Sequence, residues 1–247
     1  MSALLASALI AGTSLVTSFI SGILGMAGGM ILMGVLLALC TLPVAMMLHG
    51  ISQLTSNGAR AWFQRRSIDL RVVREYAFGA FAAALVLAAF QFVASKPVAL
   101  VFMGLSPFIG LALPERLHLN VERRGHAFAC GAICNVISLT AGLSGPLLDL
   151  FFVRSKMGRH AVIATKAASQ VLSHLLKIFY FGVLAAGGTA VDPWLAGAMV
   201  LCGIVGTSLS NTVLERITDT DFRRWTRWTV LGLGVVYLTT GLASLAG

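Results

Sequence analysis

The chain has 247 residues, of which 57% are hydrophobic and only 11% are charged, whereas soluble domains carry about 25% charged residues. A net charge of +9 would suggest nucleic acid in a soluble protein, but here the basic residues lie between long apolar runs, as in cytoplasmic loops of membrane proteins. The composition excludes a soluble catalytic domain. It predicts one all-α integral membrane domain over residues 1–247, in contact with the lipid bilayer and not with nucleic acid.

The first apolar run, residues 3–39, is too long for one span, since a continuous helix would reach about 55 Å across a core about 30 Å thick. Gly22, Gly25, Gly28 and Gly29 cluster in its middle and predict a break there. We expect a broken helical hairpin that enters and leaves on the outer face of the membrane.

The next helix carries a polar stripe with the spacing i, i+3, i+4, i+7, i+8 and i+11, which defines one helical face. The stripe consists of His49, Ser52, Gln53, Ser56, Asn57 and Arg60. Polar residues can simply join membrane helices through hydrogen bonds, but ionisable residues within a span are costly and are therefore functional candidates. We expect His49, Gln53 and Asn57 to line a pathway.

A second interrupted run extends from Gly125 to Phe152 and joins two basic loops, so it begins and ends on the same side. It is too short for two full crossings and predicts a second re-entrant hairpin, broken within residues 140–146, which contain Gly142, Ser144, Gly145 and a proline. Asp149 lies one turn beyond, where it can pair with Lys166 or exchange a proton.

The helix after this hairpin repeats the spacing of the first stripe. Its members are Lys166, Ser169, Gln170, Ser173, His174 and Lys177. We expect Lys166, Gln170, His174 and Lys177 to face the same pathway as the first stripe. Because histidine titrates near neutral pH, His49 and His174 join Asp149 as candidates for coupling transport to a proton.

Arginine and lysine concentrate in four loops, near residues 60–74, 116–124, 154–159 and 216–227. The positive-inside rule places all four in the cytoplasm and the alternate loops outside. The loop at residues 114–124 then separates a first half, residues 1–113, from a second half, residues 125–247.

The two halves show an internal correspondence at one offset. Residues 25–29 and 142–146 lie 117 positions apart, as do Ser52-Gln53 and Ser169-Gln170. Each half is predicted to contain a re-entrant or broken hairpin and three transmembrane helices, and an odd number of crossings inverts the second copy. This inverted-topology repeat is typical of secondary transporters, whose broken helices form the substrate site near the bilayer midplane.

The predicted interior contains two lysines and two histidines but one acid, Asp149, and a cationic interior favours an anionic substrate. The glycines of the two breaks allow a ligand to approach helix N-termini, which attract anions. We expect Gly25, Gly28, Gly29, Gly142, Ser144 and Gly145 to form this cradle, although close helix packing would also explain them. No metal-binding pattern such as HExxH and no nucleophile with a base and an orienting acid is evident. We therefore expect no enzyme activity, metal or cofactor.

The chain resembles the sulfite exporter TauE/SafE family, also called the toluene sulfonate uptake permease family. The resemblance covers nearly the whole chain and depends on four motifs, at residues 25–29, 65–69, 140–146 and 164–167. It implies a permease of the bacterial inner membrane that carries sulfite, thiosulfate, a sulfonate or sulfoacetate and is coupled to a proton or sodium gradient. A passive anion channel and an uptake permease for a non-sulfur carboxylate are the alternatives. Nothing in the sequence indicates an oligomeric state.

Overall fold

The computed structural model describes residues 3–112, 119–185, 189–214 and 219–246, and the regular structure in these ranges is entirely helical. The α-helices are α1 (Ala3–Leu24), α2 (Ala27–Leu39), α3 (Leu42–Phe63), α4 (Leu70–Ala89), α5 (Lys96–Ala112), α6 (His126–Ala141), α7 (Gly145–Phe152), α8 (Arg159–Phe179), α9 (Pro193–Leu214) and α10 (Asp219–Ala246). A 3₁₀ turn, Arg65–Ser67, follows α3, and a π turn, Tyr180–Leu184, continues α8. The predicted all-α fold is confirmed.

Within the described residues, five helices are long and apolar enough to cross a bilayer. They include Leu4–Ile23, Leu70–Ala89, Arg159–Leu184, Pro193–Ser210 and Arg224–Ala246. Large apolar side chains such as Phe78, Leu201 and Trp228 are exposed on these helices, as expected for a surface that contacts lipid. The chain is a multi-pass membrane protein. Helix α3 is as long as α1, but its polar stripe lowers its hydropathy.

Both predicted hairpins are present, and their breaks lie where the glycines predict them. Helices α1 and α2 are separated by Gly25 and Met26, and α6 and α7 by residues 142–144. The arms are unequal, with 22 and 13 residues in the first hairpin and 16 and 8 in the second. At 1.5 Å per residue, α1 reaches about 33 Å and is more than a half-helix. The re-entrant course of each hairpin stays a prediction.

The two ends of the α6–α7 hairpin lie together at one end of the molecule. Before α6, the Val121 N–H donates to the Phe151 carbonyl at 3.0 Å, and the Asn120 side-chain amide donates to the Arg154 carbonyl at 3.0 Å. The Glu122 carboxylate accepts from the Lys156 N–H at 2.6 Å. These bonds join two basic loops that the charge pattern assigns to one side of the membrane.

The most extensive helix contacts each join one helix of the first half to one helix of the second half. Helix α1 packs against α9, and its counterpart α6 packs against α4, while α3 packs against α8 and α5 against α10. Helix bounds follow the same offset, because α1 and α6 end at Leu24 and Ala141, and α3 and α8 begin at Leu42 and Arg159. Two repeats packed face to face would produce this pattern. The repeat boundaries and the inversion stay predictions.

The largest apolar cluster surrounds α2 and the first half of α3. Met33 and Leu36 of α2 and Met46 and Leu48 of α3 have no exposed surface, so one face of the short helix α2 is packed in the interior. This packing fixes the N-terminus of α2 against the middle of α3.

Candidate functional site

A cavity lies where the two hairpin breaks meet the middle of α3 and α8. The cavity is small and partly open to solvent. The hairpins line it with Met26, Gly29, Met30, Leu143, Ser144, Gly145 and Pro146, and the two long helices with His49, Gln53, Gln170, Ser173 and His174. The structure thus brings the two predicted breaks and the two predicted stripes to one place.

Each hairpin break requires a glycine in the left-handed region of backbone conformation. Gly25 has φ +63° and Gly142 has φ +88°, values that other residues adopt only with strain. Helices α2 and α7 begin directly after these turns, beside the cavity. The first N–H groups of a helix have no acceptor within the helix and carry the positive end of its dipole, so both N-termini favour an anion in this space.

The adjacent glycines Gly28 and Gly29 have different surroundings. A methyl group on Gly28 would collide with the Thr17 carbonyl and the backbone of Ser21, so Gly28 allows α2 to pack closely on α1. Gly29 faces the cavity, and a methyl group there would lie 3.2 Å from the Gln53 amide oxygen. The packing explanation therefore accounts for Gly28, and Gly29 is free to contact a ligand.

The cavity wall contains polar atoms that have no protein partner among the described residues. The Gln53 Nε2 and both ring nitrogens of His174 are buried without a hydrogen bond, although Gln53 and His174 are only 6% and 5% exposed. Buried polar groups are nearly always hydrogen-bonded. These atoms are therefore positioned to bind a ligand or ordered water.

Lys177 lies behind the cavity wall and connects both hairpins. Its Nζ atom donates to the Gly142 carbonyl and lies 3.3 Å from His49 Nδ1. The other ring nitrogen of His49, Nε2, is 3.2 Å from the Gly29 carbonyl. His49 and His174 are in edge-to-face contact, with ring centroids 5.7 Å apart, so three basic side chains adjoin the cavity.

A second basic side chain, which is partly buried, occupies the corresponding position in the first half. Arg60, which is 117 residues before Lys177, donates to the Ser21 carbonyl at 3.0 Å and to the Asn57 amide oxygen at 3.3 Å. Arg60 thus binds the last turn of α1, and Lys177 binds the residue that ends α6. Cations at helix C-termini are stabilised by the helix dipole, and each one fixes the break of its own hairpin.

Five of the remaining predicted site residues lie away from the cavity. Asn57 donates to the Gln53 carbonyl at 2.9 Å, and Lys166 forms an ion pair with Asp149. Gly25 and Gly28 belong to the turn and to the α1–α2 contact. Binding roles for these residues stay predictions, and the ion pair is the simpler of the two roles anticipated for Asp149.

The sequence did not single out Tyr76, Met26 or Met30 as site residues. The Tyr76 hydroxyl is 2.7 Å from the Ser173 hydroxyl and holds one side of the cavity wall from α4. Met26 and Met30 line the cavity beside the first break. Methionines in an apolar run cannot be told from core residues by their pattern. A tyrosine within a predicted span is a stronger signal, because its hydroxyl needs a polar partner, and in the structure Tyr76 is only 1% exposed.

No carboxylate contributes to the described cavity lining. The wall combines buried donors, two helix N-termini and a nearby cation, an arrangement that can hold a small anion. A sequence model of the family described as Sulfite exporter TauE/SafE matches residues 10–237. No curated protein and no solved structure matches the chain.

Proposed function

Because the chain belongs to the sulfite exporter TauE/SafE family, a family of membrane transporters for anions, we propose that it carries a small sulfur-containing or organic anion by alternating access. Sulfite, thiosulfate, sulfonates and sulfoacetate form the proposed substrate class. The anion occupies the cavity between the two hairpin breaks, and a proton or sodium gradient drives its movement across a bacterial inner membrane.

One observation supports this proposal most directly: the unpartnered donors of Gln53 and His174 face a cavity without a carboxylate. An oxyanion accepts hydrogen bonds through several oxygens and would satisfy these donors together. A cation would meet the positive ends of α2 and α7 and no carboxylate in the described lining. The sign of the site therefore favours an anion.

Alternating access is supported by the position of the cavity. The cavity lies between two broken hairpins from opposite halves of the chain, and transporters with inverted repeats change the exposure of such a site by moving one repeat against the other. A passive anion channel would use the same lining, but it would have no saturable binding step.

The proposal is tested by uptake of radiolabelled sulfite, thiosulfate, short sulfonates and carboxylates into liposomes that contain the purified protein. We expect saturable uptake of at least one sulfur anion, strongly reduced in His174→Ala. The matched control is His160→Ala, since His160 is exposed in the first turn of α8 and should transport normally. Flux that rises linearly with concentration would indicate a channel, preference for a carboxylate would change the substrate class, and absence of all uptake would contradict the proposal.

A further inference from the structure

Lys177 and His49 form a chain of hydrogen bonds between the two hairpins. The chain extends from the Gly142 carbonyl through Lys177 Nζ and the His49 ring to the Gly29 carbonyl. Lys177 has no exposed surface and His49 is 1% exposed. A proton held in this hydrogen-bonded chain is therefore shielded by the protein and can reach solvent only through the cavity that His49 lines.

The two carbonyls determine how the chain can be protonated. A carbonyl only accepts, so His49 Nε2 carries a hydrogen and, in the neutral ring, Nδ1 accepts one from Lys177. A charged ammonium has enough donors for Nδ1 and the Gly142 carbonyl, and so does a neutral amine with its two N–H groups. The Lys177–His49 pair can therefore be neutral or carry one extra proton on Lys177, with the same hydrogen-bond partners in both states. It cannot carry two extra protons, because a protonated His49 Nδ1 would then point at the Lys177 ammonium.

Among the residues that the structure describes, the groups around Lys177 supply no negative charge. His49 faces it from α3, His174 lies one turn away on α8, and Tyr76 from α4 is hydrogen-bonded to Ser173. The two hairpins contribute backbone carbonyls, from Gly29 and Gly142. The acid Asp149 is paired with Lys166, which is eleven residues and about 16 Å distant along α8.

A buried charge without a counter-charge is unfavourable. With an empty cavity the neutral amine avoids this penalty and loses no hydrogen bond. An anion between Gly29 and Gly145 would supply the missing negative charge, and the charged ammonium would then be the favoured form. Binding of the anion and binding of the proton must therefore strengthen each other, because linkage is reciprocal.

We propose that Lys177 and His49 form a proton site that fills from solvent when an anion enters the cavity, one proton with each anion. This inference rests on the proposed function and assigns its coupling ion. The proton adds to the lone pair of Lys177 Nζ, no covalent bond of the anion changes, and the pair crosses together as a symport. A monovalent anion is neutralised completely by the single charge, so short monovalent sulfonates suit the site.

Calorimetry of anion binding to the purified full-length protein tests this site. Ethanesulfonate and thiosulfate are the probes, because neither changes its charge between pH 7 and 9. Each titration is run in triethanolamine and in Tris, whose ionisation enthalpies differ and whose protonated forms are cations that do not compete with the anion. Uptake of one proton makes the binding enthalpy differ between the buffers by the full ionisation difference, and the affinity falls about tenfold per pH unit where uptake is complete.

Two variants separate a proton site from a structural lysine. Lys177→Arg keeps the charge but cannot release its proton. We expect this variant to bind anion with no buffer dependence and no pH dependence. Lys96→Gln, at an exposed lysine that begins α5, should behave as the unchanged protein.

The outcomes for the unchanged protein are distinct. Anion binding with equal enthalpies in both buffers would overturn the proton site and leave the proposed function standing. Absence of binding for every anion would overturn both. Proton uptake that persists in a folded Lys177→Arg variant would move the proton site to another residue and contradict this assignment.

Discussion

Gly28 and Gly29 are neighbours with separate tasks, and the reason lies in the atoms that a side chain would meet. Gly28 is closed in by α1, and Gly29 opens onto the Gln53 amide in the cavity. A sequence pattern cannot separate the two, because glycine is required both for close helix contact and for access of a ligand to the backbone. The helix rotation that distinguishes them depends on the packing of α2.

Alanine substitutions at these two positions should affect different properties, anion affinity at Gly29 and fold stability at Gly28. Gly29→Ala places a methyl group against the flexible end of Gln53, so we expect anion affinity to fall about tenfold, the equivalent of one hydrogen bond, with little change in melting temperature. Gly28→Ala forces α1 and α2 apart and should destabilise the fold by about 1–3 kcal/mol. Thermal melts and anion titrations of both variants check this. Equal losses of stability would contradict the distinction.

The polar stripes predicted the cavity lining only in part. Gln53, Gln170 and both histidines line the cavity, whereas Asn57 and Lys166 do not. Each stripe spans about 16 Å of helix, and only part of it lines the cavity. Residues outside this part, such as Asn57 and Lys166, bind other protein groups, and those partners cannot be read from the spacing of a single helix.

At the scale of elements, each hairpin is fixed by a cation from the helix that follows it. Arg60 binds the end of α1 and Lys177 the end of α6. The breaks themselves were predictable, because two left-handed glycines and a proline leave few other conformations. The lengths of the arms were not, since the apolar runs on both sides of the breaks are continuous and helix ends depend on tertiary contacts.

The ion pair between Asp149 and Lys166 joins α7 to α8, and its contribution to stability can be measured. If Asp149 only stabilises α7 against α8, then Asp149→Asn and Lys166→Gln should each lower stability by up to about 1 kcal/mol, because both side chains are partly exposed. The double variant should lose less than the sum of the two and should keep the pH dependence of transport. Thermal melts of the four proteins give the interaction energy.

A contrary result would restore a role in coupling for Asp149. Loss of the pH dependence of uptake in Asp149→Asn, with normal stability, would show that the carboxylate exchanges a proton. His160→Ala serves again as the variant in which neither property should change.

At the scale of the whole molecule, the helix contacts between the two halves place their hairpins against each other. The N-termini of α7 and α2 lie against each other, because a methyl group on Gly145 would meet the Met26 side chain. The offset of 117 residues predicted this correspondence from two short matches. The sequence could not show how close the two breaks approach, because that distance depends on the packing of α1 on α9 and of α6 on α4.

Membrane topology is checked by labelling single cysteines in a background without the four native ones. The positive-inside rule places Arg124 and Lys156 in the cytoplasm and Ser95 outside. It predicts that Arg124→Cys and Lys156→Cys react with an impermeant thiol reagent only after the membrane is permeabilised, whereas Ser95→Cys reacts in intact cells. All three positions are exposed in the structure. Reaction of Lys156→Cys and Arg124→Cys from opposite sides would show that α6–α7 crosses the membrane and would contradict the re-entrant hairpin.

Alternating access is tested by the exchange of a labelled anion in liposomes preloaded with the same anion unlabelled. A carrier that exposes one saturable site alternately to the two sides should take up the label several-fold faster when the anion is present inside, and His174→Ala should lose this acceleration. Uptake that preloading leaves unchanged would identify a continuous pore and contradict alternating access at the cavity between the hairpins.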